Sequence, residues 1–131
     1  MIDTHGSASP LEDVKPVAHT NDIRDLATAV RGVIVSNLLK QYVISLANAT
    51  RSHEDLRLGA SPRATLHLLR ASRAWAALDG RDYVIPDDVQ ALAVPVLAHR
   101  LLPTPEALVA GQLPEQVLAG IVTQLPLPAR R

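Results

Sequence analysis

The stretch from Ser61 to Gly80 constrains the fold more than any other part of the sequence. Ser61 can cap a helix, and Pro62 follows it at the first helical position, where a missing N–H costs nothing. No further Gly or Pro interrupts the run until Gly80, a natural helix stop. The spacing predicts a helix from Pro62 to about Asp79. Leu66, Leu69, Arg73 and Ala76 fall on one line, and Leu68, Ala71, Trp75 and Leu78 on a neighbouring one. A helix apolar over so much of its circumference belongs at the centre of a helical assembly.

The rest of the chain agrees. Thr20 or Asn21 can cap a helix from about Asp22 to Val30, with Ile23, Leu26, Ala27 and Val30 as its apolar face and Gly32 beyond its end. Ser36 opens a second helix to Arg51, with Leu39, Tyr42, Val43, Leu46 and Ala47 at helical spacing. Pro86 opens a helix with Asp87 and Asp88 in its first turn, where negative charge suits the dipole. Its buried face reads Val89, Leu92, Ala93, Val96 and Leu97, and Pro95 predicts a kink or early stop. Ile85 stands at the cap position and cannot cap, at a cost of roughly 1 kcal/mol relative to Ser. Pro114 opens a last helix to about Gln124, after a turn over Leu101 to Pro105. Apolar residues make up 47% of the chain, aromatics only 2%, and there is no Phe. A core of Leu, Val, Ala and Ile suits helices better than a β-sandwich. The expected fold is therefore all-α, a small four- to five-helix bundle with at most very short β segments. Extended pairing is expected only near Val33–Val35, Tyr83–Val84 or Arg100–Leu102. The expected core is Leu39, Val43, Leu46, Leu66, Leu69, Ala76, Val89, Leu92 and Val96.

Charge and composition narrow the function classes. Thirteen basic and 13 acidic residues balance to a formal net charge of zero. A dedicated nucleic-acid binder carries a basic excess to neutralise phosphates, so nucleic acid is not an expected partner. With no cysteine there is no disulfide and no thiol chemistry. Apolar runs are too short to span a bilayer, and the N-terminus does not read as a secretory signal. A cytoplasmic location is expected.

The chemistry-bearing motifs are few. No Gly-rich loop ends in Lys-Ser or Lys-Thr; the lysines are Lys15 and Lys40 alone. No buried strand ends in Asp-Glu. The chain is not expected to hydrolyse a nucleotide alone. No histidine pair has the spacing of a helical metal site. Asp79, Asp82, Asp87 and Asp88 could suggest paired-carboxylate catalysis, but acids gather at helix ends for local reasons. Arg70, Arg73, Arg81 and Arg100 could form a basic face, though a salt-bridged surface explains them more simply. The segment Gly59-Ala60-Ser61-Pro62-Arg63 says most. Free N–H groups at the start opened by Ser61 and Pro62 make a place for an anion, and Arg63 adds a guanidinium there. A cation against the dipole is unfavourable by some tenths of a kcal/mol, which a phosphate-facing site would tolerate. From spacing alone, a solvated arginine following a cap is the simpler account.

The phrases YVISLANATR (42–51) and LGASPRATLHLLRASRAWAALDGRDYVIPDDVQALAVPVLAHRL (58–101) resemble the C-terminal lid of MoxR-type AAA+ ATPases, with PLEDVKPV (10–17) and VLAGIVTQLPLP (117–128) similar to its flanks. The resemblance covers nearly the whole chain and departs at Ile85, where the family often has a capping Thr or Ser. It implies an N-terminal α/β ATPase domain in the same parent chain, holding ATP and Mg. It implies that Arg63 is the sensor-2 arginine, set on the helix start of Ser61 and Pro62. It also implies ring homo-oligomers and a chaperone-like machine acting with von Willebrand factor A domain proteins. On this reading residues 1–20 are a linker, 21–125 the lid and 126–131 an exposed tail, and the chain is a piece of a longer protein. The competing reading is a self-contained helical protein- or DNA-interaction module.

Overall fold

The computed structural model describes residues 14–128. The first part of the expected linker, with His5, and the last three residues of the expected tail lie outside them. Six α-helices follow in order: α1 (Thr20–Gly32), α2 (Asn37–Arg51), α3 (Pro62–Leu78), α4 (Pro86–Leu97), α5 (Pro105–Val109) and α6 (Pro114–Gln124). Two short strands, β1 (Leu56–Leu58) and β2 (Leu102–Pro103), pair antiparallel, and Ile34 bridges Tyr83 in parallel.

The five expected helices are all present. Ser36 caps α2 by accepting from the Leu39 N–H, and Ser61 caps α3 by accepting from the Ala64 N–H. Gly80 takes the left-handed conformation, φ 73°, past the end of α3. Other expectations shift. α1 begins two residues early, with His19 at its cap position, and runs to Gly32. The span Ser52–Leu58, expected as a charged connector, contains β1, and the expected turn at Leu101–Pro105 contains β2. α5 was not foreseen; Thr104 caps it and Pro105 starts it, the same grammar as α3 in one short turn. α4 passes through Pro95 to Leu97. Pro95 and Ala91 are both exposed, so the hydrogen bond Pro95 cannot donate to Ala91 falls on the solvent side.

The core sits between α2, α3, α4 and α6. Leu39, Leu46, Leu68, Val89, Leu97 and Leu118 are fully buried there. Of the expected core, Leu39, Val43, Leu46, Ala76 and Val89 are buried, while Leu69, Leu92 and Val96 are half-buried against it. Leu66 is a correction: it is 53% exposed. α3 buries instead the line Ala64, Leu68, Ser72 and Ala76. Small residues on that line let α3 approach α4, its most extensive neighbour, closely. The Ser72 hydroxyl donates to the Leu68 carbonyl, so its burial leaves nothing unsatisfied. Trp75 and Leu78 face solvent. Among the described residues, no helix is long and apolar enough to cross a membrane.

Candidate functional site

The start of α3 is held from below by the end of α2. Thr50, fully buried in the last turn of α2, accepts a hydrogen bond from the Ala60 N–H (2.9 Å) and donates to the Ala47 carbonyl (2.7 Å). Arg51 Nε donates to the Ala60 carbonyl at 2.8 Å. Both backbone groups of Ala60 are thus tied to α2. Gly59 lies so close that a Cβ there would stand 2.6 Å from Arg51 N and from Thr50 C and O. Only glycine permits that approach. Ala60 and Ala64 are buried on the inner side.

On this frame Ser61, Pro62 and Arg63 all face solvent. Arg63 is the second residue of α3, one position past Pro62. Its guanidinium has no ion pair or side-chain hydrogen bond among the described residues. The three residues singled out in the sequence are therefore brought together at one capped, fixed helix start with an uncommitted cation. Thr50 and Arg51, which fix it, were missed by sequence reasoning, and Gly59 was named in the segment without its close approach to them. Their contacts reach nine or ten residues along the chain, and no periodicity reports them.

The other charged groups are mostly structural. Arg81 donates to Asp88 through Nη1 (2.9 Å) and Nη2 (2.7 Å), to Asp79 through Nη2 (3.1 Å), and to the Tyr83 carbonyl (3.1 Å). Asp88 is buried and also accepts from the Ile85 N–H at 2.9 Å. Burial pushes its carboxyl up, but the Arg81 hydrogen bonds and the Ile85 N–H outweigh this and hold it below the ordinary carboxylate value. Arg81 is correspondingly held further into its charged range, chiefly by the Asp88 bond. Asp79 and Asp88 are thus spent on a helix end and a helix start, as local chemistry suggested. The expected salt-bridged surface holds for Arg81 alone. Arg70, Arg73 and Arg100 have no carboxylate partner among the described residues, and Arg100 instead donates to His99 Nε2 at 3.1 Å.

Three comparisons with known proteins bear on this geometry. The AAA lid domain family matches residues 48–119. An uncharacterised protein, YeaC, of Bacillus subtilis is 37% identical over all of this chain, which spans 41% of that protein. Chaperone MoxR1 of Mycobacterium tuberculosis is 37% identical over 87% of this chain, which spans 33% of it. A crystal structure from Cytophaga hutchinsonii, of a protein provisionally named an ATPase, superposes with a TM-score of 0.87 at 26% identity, over 97% of this chain and 41% of that one. The chain thus spans about two fifths or less of each of these proteins. The family match begins at the end of α2 and takes in the Thr50–Arg51 frame, the α3 start, the Arg81–Asp88 lock and most of α6, so this chain belongs to the AAA lid family, as a lid domain of the MoxR type.

Proposed function

We propose that this lid supplies Arg63 as the sensor-2 arginine of a MoxR-type ATPase, directed at the terminal phosphate of ATP held by an N-terminal α/β domain of the same parent chain. The observation that carries this reading is an arginine with no internal partner on a helix start that is rigidly fixed to α2. The arginines that serve the fold are met from within it, Arg81 by Asp79 and Asp88 and Arg51 by the Ala60 carbonyl. Arg63 instead places an exposed, unpartnered guanidinium at the positive end of the α3 dipole, a setting suited to a phosphate. The α/β domain would supply the phosphate cradle and Mg, and the lid would contribute the charge that steadies the transferring phosphoryl.

In this reading residues 1–20 link the two domains, 21–125 form the lid and 126–131 are an exposed tail. The parent assembles as a cytoplasmic ring homo-oligomer and works as a chaperone-like machine with von Willebrand factor A domain proteins. The name of the mycobacterial relative, a chaperone, supports the class of activity.

The test is hydrolysis by the parent ATPase carrying Arg63→Ala. Turnover should fall about 100- to 1,000-fold, the scale of losing one transition-state contact. Wild-type turnover by a folded, assembled variant would overturn the assignment.

A further inference from the structure

α3 carries Arg63, Arg70 and Arg73 and not one Asp or Glu between Pro62 and Leu78. Arg70 and Arg73, with Ala27, Val30 and Arg31 of α1, line an open cleft of about 590 Å3 between the two helices. Among the described residues, no acidic one lines it. At 100° per residue, Asp25 falls on the opposite side of α1 from Ala27 and Val30, and Asp22 lies about two turns back along the helix from Val30. None of the three cleft arginines has an ion pair or side-chain hydrogen bond among the described residues. Arg73 goes further: its Nε is buried and has no hydrogen-bond partner among the described residues. A buried guanidinium N–H left unmade is costly, and two further cations beside it add repulsion. Elsewhere the chain satisfies its inward arginines: Arg51 donates to Ala60 and Arg81 to Asp88.

We infer that this cleft binds a phosphate chain, an oligophosphate whose oxygens take the paired N–H groups of Arg31, Arg70 and Arg73. Guanidinium forks donate two parallel bonds to an oxyanion, and the set here is all arginine, without lysine. Three cations in one concavity call for several negative charges within its span. A run of phosphoryl groups carries them, whereas one carboxylate leaves two arginines unmatched. Ala27 and Val30 complete the lining beside the arginines. The site is separate from the start of α3. Arg70 lies seven residues beyond Arg63, about 10 Å along the helix, so neither assignment requires the other.

The test is calorimetric titration of this chain with sodium tripolyphosphate at low ionic strength. Arg73→Gln, Arg63→Gln and the double variant Arg70→Gln/Arg73→Gln, with and without Arg63→Gln, are titrated alongside, with melting curves to show that each is folded. Because Arg63 reports on the α3 start, the loss caused by Arg70→Gln/Arg73→Gln should be as large in an Arg63→Gln background as in wild type. Arg73→Gln should bind at least about tenfold more weakly than wild type, the double variant weaker still, and added salt should erode the wild-type affinity. No binding by wild type at millimolar tripolyphosphate overturns the proposal, as does undiminished binding by the folded double variant. Loss on Arg63→Gln with none on the cleft variants moves the phosphate to the α3 start and also overturns it. Tighter cleft-dependent binding of duplex DNA or of a polyglutamate peptide than of tripolyphosphate would make the cleft a nucleic-acid or protein dock and refute the proposal.

Discussion

α3 and α4 begin with the same local grammar and finish it in opposite ways. Each has an extended residue followed by proline. At α3 the extended residue is Ser61, whose hydroxyl closes the first turn, and the nearby arginine is left to solvent. At α4 it is Ile85, which has no side-chain acceptor. There Asp88 reaches back to the Ile85 N–H and is itself clamped by Arg81. One start spends its arginine on the fold, and the other holds its arginine free on an equally firm base. An arginine near a helix start thus has no fixed meaning. Whether a carboxylate is already within reach decides whether it is structure or site.

That comparison can be broken from the α3 side most severely at Gly59. In Gly59→Ala the new methyl meets the backbone of Thr50 and Arg51, which cannot rotate away. The loss expected in urea titration is about 3 kcal/mol, the upper range for overpacking. Tolerance within experimental error would show that the α2 end and the α3 start are not rigidly coupled. The α4 side breaks at Asp88. Asp88→Ala removes a buried carboxylate with three charge-assisted bonds and should cost about 2–3 kcal/mol. Its pH signature follows from its lowered titration. As pH falls, the unfolded chain protonates this carboxyl first, near its ordinary 3.8, while the folded form resists. The contribution is therefore whole above that value and is lost as pH falls through the folded one. Wild type should lose more stability than Asp88→Asn between about pH 5 and pH 2. Parallel pH profiles would show that Asp88 gives the lock no charge.

How much of this was legible depended on the range of each signal. Caps and stops were legible because they are local: Ser36, Ser61, Pro62, Pro86, Pro114 and Gly80 each mark a boundary within a residue or two. The buried face of α2 was legible because Lys40, Gln41, Ser45, Asn48 and Arg51 mark its other side, despite the exposed Leu38 and Ile44. α3 gave no such contrast. With Leu66, Leu69, Trp75 and Leu78 all apolar, periodicity could not show that the line through Ala64 and Ser72 faces inward. That choice is made by close approach to α4, a tertiary fact. β1 was hidden for a similar reason, since three residues pair with a partner more than 40 positions away. At the site, Ser61, Pro62 and Arg63 could be picked out, but their fixing by Thr50 and Arg51 could not. The arginines were misjudged as a group. Counting acids along the chain does not say which arginine an acid can reach.

Finer changes at the α3 start sharpen the comparison further. Ser61→Ala removes the cap to the Ala64 N–H and should cost about 1 kcal/mol by thermal or urea unfolding. A null effect would mean that the ties through Ala60 alone hold the helix start. The smallest effect is expected at Arg63. Arg63→Ala should change the stability of this domain by no more than about 0.5 kcal/mol, because the side chain is exposed and makes no partnered contact. The sign can even favour the variant. A cation in the first turn opposes the helix dipole, and its removal relieves some tenths of a kcal/mol. The relief should shrink as salt rises, since both charges stand in water. If Arg63→Ala instead destabilises the domain by 1 kcal/mol or more, as estimated from loss of an ordinary hydrogen bond, then Arg63 is engaged within the fold and the contrast with Arg81 fails. If stability is unchanged or slightly raised and the gain fades with salt, the arginine is held at a small standing cost. Such a cost has a physical reason only where an anion arrives from outside the domain to offset it.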